Sequence, residues 1–273
     1  MNKEEKNGVT YMTFNSLKNA GVKHAFSTRL GGVSKGVFES LNLHTNSEDN
    51  VDNIHENYKI MCKAIDMNYD RMCFSMQTHT ANVIVVDEKD AGNGITKPLP
   101  YKDVDGIVTN VKDMPLVTAH ADCVPLFFYD PVKQVVGLSH SGWKGTVGKI
   151  GKVTVEKMTE AFGSKPEDIL CGIGPSICKN CYEVSADVAE AIVGAFGEAH
   201  KPQILSKSLF NPTDNNKYML DLWVACKIAL LEAGVIEEHI EVTDYCTRCH
   251  PDLFFSHRVM GANRGGQAAF ISL

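Results

Sequence analysis

Short apolar runs rich in β-formers recur along the whole chain, and helical stripes interrupt them in only four places. The runs are Val22–Thr28, Met72–Gln77, Asn82–Asp87, Gly106–Thr109, Val124–Tyr129, Val135–His140, Ile169–Ile173, Ile240–Thr243 and Ala268–Ser272. The first stripe is Asn53–Met67, with Ile54, Tyr58, Met61 and Ile65 on one face. The others are Thr146–Phe162 with Thr146 as the expected N-cap, Ser185–Phe196, and Tyr218–Ala233 ended by Gly234. Lys89–Asp103 and Lys201–Lys217 read as loops from their Gly, Pro and Asn residues. Neither has the composition of a domain linker. The pattern predicts a single α/β domain over residues 1–273, with mixed β-sheets and surface helices.

The chain has 44% hydrophobic residues, enough to bury a core and to exclude disorder as its main state. Its formal net charge of −6 and the absence of a polybasic run argue against nucleic-acid or membrane-surface partners. No apolar stretch reaches the roughly 20 residues that span a bilayer. The N-terminal MNKEEKNGVTYMTF has no apolar signal region, which predicts a protein kept in the cytoplasm. Nine cysteines are unusual in a reducing compartment, and an odd number cannot all pair. Each therefore raises the question of metal binding or catalysis.

Cys123 lies in Ala121-Asp122-Cys123-Val124-Pro125, just before an apolar run that ends at the turn signal Asp130-Pro131. The next run ends at His140-Ser141-Gly142-Trp143-Lys144. A hairpin turning at Pro131-Val132 would set Asp130 opposite Lys133 and Cys123 opposite His140, with Cβ atoms about 5 Å apart. That suits two ligands of one metal, and His79, in Gln77-Thr78-His79-Thr80, is the candidate third. One Cys and two His with an open fourth position fit catalytic zinc. The same set fits a copper site with a weak axial ligand. Cys123 with His140 as base would equally suit a metal-free thiol hydrolase. His120, three residues before Cys123, is expected on the opposite strand face and outside the set.

Two further pairs, Cys178-Lys179-Asn180-Cys181 and Cys246-Thr247-Arg248-Cys249, could build a structural zinc site, although the gap between them is wide for a zinc ribbon. Cys246–His250 also matches a haem-attachment pattern, which a chain without a signal peptide disfavours. The simplest reading leaves these four as loop and core thiols. Arg29, before the Gly31-Gly32 turn, together with Lys144 and Arg258, are candidate anion-binding cations, and Asn263-Arg264-Gly265-Gly266 offers a further one.

Several blocks follow one another in a familiar order. They are FSTRLGGVSKGVFESLNL (26–43), QTH (77–79), DGIVTN (105–110), ADCVPLFFYDP (121–131), HSGWKGT (140–146), GIGPSI…CYEV (172–184) and FFSHR (254–258). From about residue 22 to its end the chain resembles the YfiH-like laccase-domain family of polyphenol oxidases and purine nucleoside phosphorylases. The resemblance implies a layered α/β sandwich, CNF/YfiH-like, with a metal, usually zinc, on His79, Cys123 and His140. It also implies phosphorolysis of adenosine, inosine or methylthioadenosine, with adenosine deamination as a further activity. Ser141 and Lys144 stand where the family often has Ala and Arg, and His257 and Val259 flank Arg258 where a Tyr–Arg–Arg run is common.

A multicopper oxidase needs paired His-x-His motifs, and none occurs among the ten histidines. The nucleoside reading needs a phosphate site, for which Arg29, Lys144 and Arg258 are the candidates. It needs an acid or a ribose-orienting group, for which Asp122 is the candidate. It also needs, for deamination, a water whose pKa a metal lowers to about 7. Expected partners are small purine nucleosides and phosphate, for a monomer or homodimer.

Overall fold

The computed structural model describes residues 1–273. Its strands are β1 (Asn2–Lys6), β2 (Val9–Thr13), β3 (Lys23–Ser27), β4 (Cys73–Phe74), β5 (Val83–Val85), β6 (Gly106–Thr109), β7 (Leu116–His120) and β8 (Val124–Asp130). They continue with β9 (Val135–Ser141), β10 (Leu170–Ile173), β11 (Glu183–Ser185), β12 (Leu205–Lys207), β13 (Lys217–Leu220), β14 (Ile240–Val242) and β15 (Gln267–Ser272). The helices are α1 (Asn15–Asn19), α2 (Val51–Ile65), α3 (Trp143–Val147), α4 (Ile150–Phe162), α5 (Ala186–Phe196), α6 (Lys201–Ile204), α7 (Leu222–Glu232) and α8 (His257–Met260).

Two six-stranded mixed sheets form the body, in the orders β1-β2-β3-β15-β7-β4 and β14-β10-β8-β9-β6-β5. A three-stranded sheet, β11-β13-β12, stands beside them. Strand alternation assigns the layers. In β3, Phe26 joins the core between the two large sheets, whereas Ala25 packs toward α2. In β8, Phe127 faces the first sheet, while Leu126 and Phe128 face the layer of α4 and α7. The order is therefore α2, first sheet, second sheet, then α4 with α5 and α7. Strands β8 and β9 are buried along their whole lengths, which explains their continuous apolar runs.

Four expectations change. The β8–β9 hairpin pairs Asp130 with Val135 and Pro125 with His140, two residues from the register read from the sequence. Asp130 Oδ1 accepts from the N–H groups of Val132 and Lys133, so the turn is built as a longer loop instead of a two-residue one. Thr146 does not cap a helix. It lies inside α3, and the helix is interrupted at Gly148-Lys149 before α4 begins. Tyr218–Leu220 is strand, and α7 starts only after Asp221, whose side chain accepts from Val224 N–H as the true N-cap. The 201–217 segment holds α6 and β12 as well as loop.

Candidate metal centre and its cleft

The site sits where the chain crosses from one large sheet to the other. His79 lies in the connection from β4 to β5, and Cys123 in the one from β7 to β8. His140 is near the end of β9. The register shift of two residues does not separate Cys123 from His140, because residues two apart on a strand share a face. The three donor atoms lie within 4.8 Å of one another. Cys123 Sγ is 3.8 Å from His79 Nε2. The His79 and His140 rings meet edge to face, with centroids 4.9 Å apart.

Asp105, which the sequence does not single out, organises all of this. It is fully buried at the entry to β6. Its carboxylate accepts from the backbone N–H groups of Thr78, His79 and Thr80 at 3.1, 3.0 and 2.8 Å, and from Thr80 Oγ1 at 2.8 Å. These bonds hold His79 in a left-handed conformation, φ 65°. The same carboxylate receives His140 Nδ1 at 2.8 Å, which leaves Nε2 for the cleft side. Burial works against the Asp105 charge, but these donors hold its pKa down to about 2. The Asp-Gly step that opens the DGIVTN block was the available signal.

Three glycines let the His79 loop close on α3. A Cβ on Gly142 would stand 2.6 Å from His79 Cδ2 and 3.1 Å from Cys123 Sγ. One on Gly145 would meet Thr80 O at 3.0 Å, and one on Gly148 would meet Ala81 Cβ at 2.6 Å. The spacing of three sets these glycines along one helical face, against residues 79–81.

Electrostatically, Cys123 and His140 form a pair. Burial would raise the thiol, yet the neighbouring imidazoles hold it down to about 6. Burial would lower His140, yet Cys123 and Asp105 raise it to about 9. A thiolate beside two imidazoles, one oriented by a buried carboxylate, is a donor set that a zinc or copper ion can use. Tetrahedral bonds of about 2.0–2.3 Å put ligand atoms roughly 3.3–3.8 Å apart, so the trio fits such an ion with little movement.

His120 departs from expectation. It lines the same cleft, with its ring centroid 5.3 Å from that of His140. Strand alternation fails here because Asp122 takes φ 81° and turns the chain between β7 and β8. Both His120 nitrogens are engaged, by Thr118 Oγ1 at 2.7 Å and Cys123 O at 3.1 Å, so it supports the centre without offering a ligand atom.

The cleft over the trio measures about 430 Å³, within the range of small-molecule sites. Phe74, Met76 and Leu99 give it an apolar wall. His44 Nδ1 and Ser75 Oγ, both buried and without a protein partner, also belong to its lining. The candidate anion-binding residues Arg29, Lys144 and Arg258 do not line it. Arg29 donates to the carbonyls of Glu39 and Pro251 and stacks on Phe255 at 4.5 Å. Lys144 is exposed on α3, over the Trp143 ring. Arg258 donates to Glu183 O and covers the Tyr182 ring at 5.0 Å. Arg264 does line the cleft, with Nε to His257 Nδ1 at 3.3 Å and Nη1 to Gly265 O at 3.0 Å. Asp122 is spent on structure. Its oxygens accept from Thr247 Oγ1 at 2.6 Å, Ser256 Oγ at 3.0 Å and Arg258 N–H at 2.7 Å.

The chain is similar to known proteins in sequence and in fold. A family described as multi-copper polyphenol oxidoreductase laccase matches residues 23–273. The purine nucleoside phosphorylase YlmD of Bacillus subtilis (strain 168) is 38% identical over 256 residues, covering 93% of this chain and 90% of its own. The adenosine deaminase RL5 of an unknown prokaryotic organism is 32% identical over 243 residues, covering 88% of this chain and 90% of its own. The crystal structure of the Bacillus licheniformis hypothetical protein YfiH matches with TM-score 0.90 at 30% identity, over 99% of this chain and 98% of that one.

Proposed function

Because the chain belongs to the multi-copper polyphenol oxidoreductase laccase family, we propose that it is a zinc-dependent purine nucleoside phosphorylase that also deaminates adenosine. The observation that carries this reading is the convergence of His79, Cys123 and His140 beneath a cleft that has an apolar wall and a free guanidinium edge. A zinc ion held by the three residues would supply Lewis-acid polarisation and a water of lowered pKa.

The chain's own groups do the rest. The purine packs against Phe74, Met76 and Leu99. His44 Nδ1 and Ser75 Oγ hydrogen-bond the base edge or the ribose hydroxyls, which satisfies both orphaned atoms. Burial and nearby Arg264 push the His44 pKa down, so it meets the ligand as a neutral donor or acceptor. Arg264 keeps Nη2 for a phosphate oxygen while Nε and Nη1 fix its plane. In phosphorolysis the C1′–N9 bond breaks with its electron pair leaving on the purine, and a phosphate oxygen bonds to C1′. Asp122 is a positioning residue that fixes the turn carrying Cys123. Residues 1–273 serve as one unit, since both large sheets supply the site.

Arg264→Ala is expected to raise the KM for phosphate in inosine phosphorolysis by about 10- to 100-fold, the worth of a charge-assisted bond. Lys144→Ala should leave it within about twofold. Hypoxanthine release measured against phosphate concentration reads both, and an unchanged KM in Arg264→Ala would remove Arg264 from the anion site.

The thiolate–imidazolium pair favours one second reading, a metal-free thiol hydrolase. Alkylation separates the two. After chelation Cys123 should react with iodoacetamide at a rate that is half-maximal near pH 6, and zinc should protect it. Peptide-resolved mass spectrometry follows this one thiol among nine. Ready alkylation of the zinc-loaded protein would favour the hydrolase.

A further inference from the structure

Four cysteines that this chemistry does not use gather behind the site. Strands β10 and β14 are parallel neighbours, so the chain leaves both in the same direction. The turns that follow carry Cys178–Cys181 and Cys246–Cys249 and lie side by side, with Ser176 bridged to Cys246 and Thr247 N–H donating to Ser176 O at 3.0 Å. Cys178 N–H donates to the Cys246 sulfur at 3.2 Å. The sulfurs of Cys181 and Cys249 stand 3.4 Å apart. All four sulfurs lie within 4.8 Å of one another, and none is in a disulfide. Metal–sulfur bonds of about 2.3 Å in a tetrahedron give sulfur–sulfur edges of roughly 3.8 Å, whereas a disulfide needs about 2.05 Å. The wide gap between the pairs in sequence is closed by the β10–β14 pairing.

We propose that Cys178, Cys181, Cys246 and Cys249 hold a second, structural zinc ion as a closed tetrathiolate. Four thiols binding one Zn²⁺ give up four protons in all, and no oxidant or reductant is involved. Lys179 and Arg248, one inside each turn, offset the negative charge that results. The clamp acts on the site through its neighbours. Thr247, between the second pair of ligands, donates to Asp122, the residue before Cys123. Tyr182, next to Cys181, carries Arg258 over its ring, and Arg258 N–H also donates to Asp122. Tying the two turns together therefore fixes the wall behind Cys123 without using the fourth position that catalysis would need.

The test uses full-length protein purified under reducing conditions. Cys123→Ala removes a ligand from the other centre and leaves this one intact. It should retain about one equivalent of zinc, and its Co²⁺ form should show the strong visible and near-ultraviolet bands of a tetrathiolate. Adding Cys249→Ser, the exposed ligand, should abolish both. If that double variant does not fold, titration of the Cys123→Ala protein with Co²⁺ followed by zinc displacement of the same bands gives the answer. The absence of a thiolate–cobalt spectrum, with equal zinc content whether or not Cys249 is replaced, would overturn the proposal. These readouts are independent of nucleoside turnover, so failure of the enzymatic reading leaves them unaffected.

Discussion

Cys123→Ala is expected to lose nucleoside phosphorolysis and adenosine deamination together, by on the order of 10³-fold or more in kcat/KM. Cys123 supplies the thiolate of the trio, drawn down by two imidazoles, and no other cysteine, aspartate or glutamate joins this group of ligand atoms. Without it, two imidazoles remain, too few to hold the ion well. The fold should survive, because the side chain is only half-buried and its backbone is fixed through Asp122 by Thr247, Ser256 and Arg258. Thermal unfolding should shift by only a few degrees while zinc content falls by about one equivalent. Loss of one activity with retention of the other would mean that two distinct centres are at work.

Asp105→Asn should cause the second large change, and it should act on stability and metal together. The carboxylate accepts three backbone N–H groups, one hydroxyl and the His140 ring. An amide would turn its NH₂ toward donors that it cannot satisfy, so a loss of about 2–4 kcal/mol is expected. Metal affinity should fall about 10- to 100-fold, the usual cost of losing the partner that orients a ligand histidine. The pH dependence has a definite sign. Asp105 has its pKa depressed from 3.8 to about 2 on folding. Its contribution is therefore present above about pH 4 and is lost as pH falls toward 2. Wild-type protein should be more stable than Asp105→Asn at pH 7, and the gap should narrow across that acid window. Urea unfolding at several pH values checks this, and a gap that stays constant down to pH 2 would contradict it.

What could be read in advance follows the physics of each element. β8 and β9 are legible because burial on both faces leaves only apolar residues. β1 is not, since Asn2–Lys6 is a charged edge strand with no apolar face to give it a period. β13 and α7 merge into one apparent stripe because the capping role of Asp221 is visible only once the helix is seen to start there. The metal trio is legible even with the hairpin register displaced, since a shift of two keeps each side chain on its face. His120 is not, because one positive φ at Asp122 breaks the alternation on which its exclusion depended. Asp105 is hidden for another reason, whereas Arg264 is visible as a cation but its place in the cleft is not. Each acts on groups far along the chain, Asp105 on residue 140 and Arg264 over a cleft built from both sheets, and no local spacing encodes such proximity. The two Cys-x-x-Cys turns are local motifs, yet only parallel pairing of β10 with β14 turns them into one cluster.

If purine nucleosides react at the His79–Cys123–His140 centre, their turnover must depend on Cys123. Adenosine incubated with zinc-loaded protein, with and without phosphate, tests it when products are resolved by chromatography and Cys123→Ala is run beside it. Adenine and ribose 1-phosphate are expected only with phosphate, inosine in either buffer, and neither from the variant. Adenosine left intact by wild-type protein with its zinc in place, or turned over equally by Cys123→Ala, would contradict it.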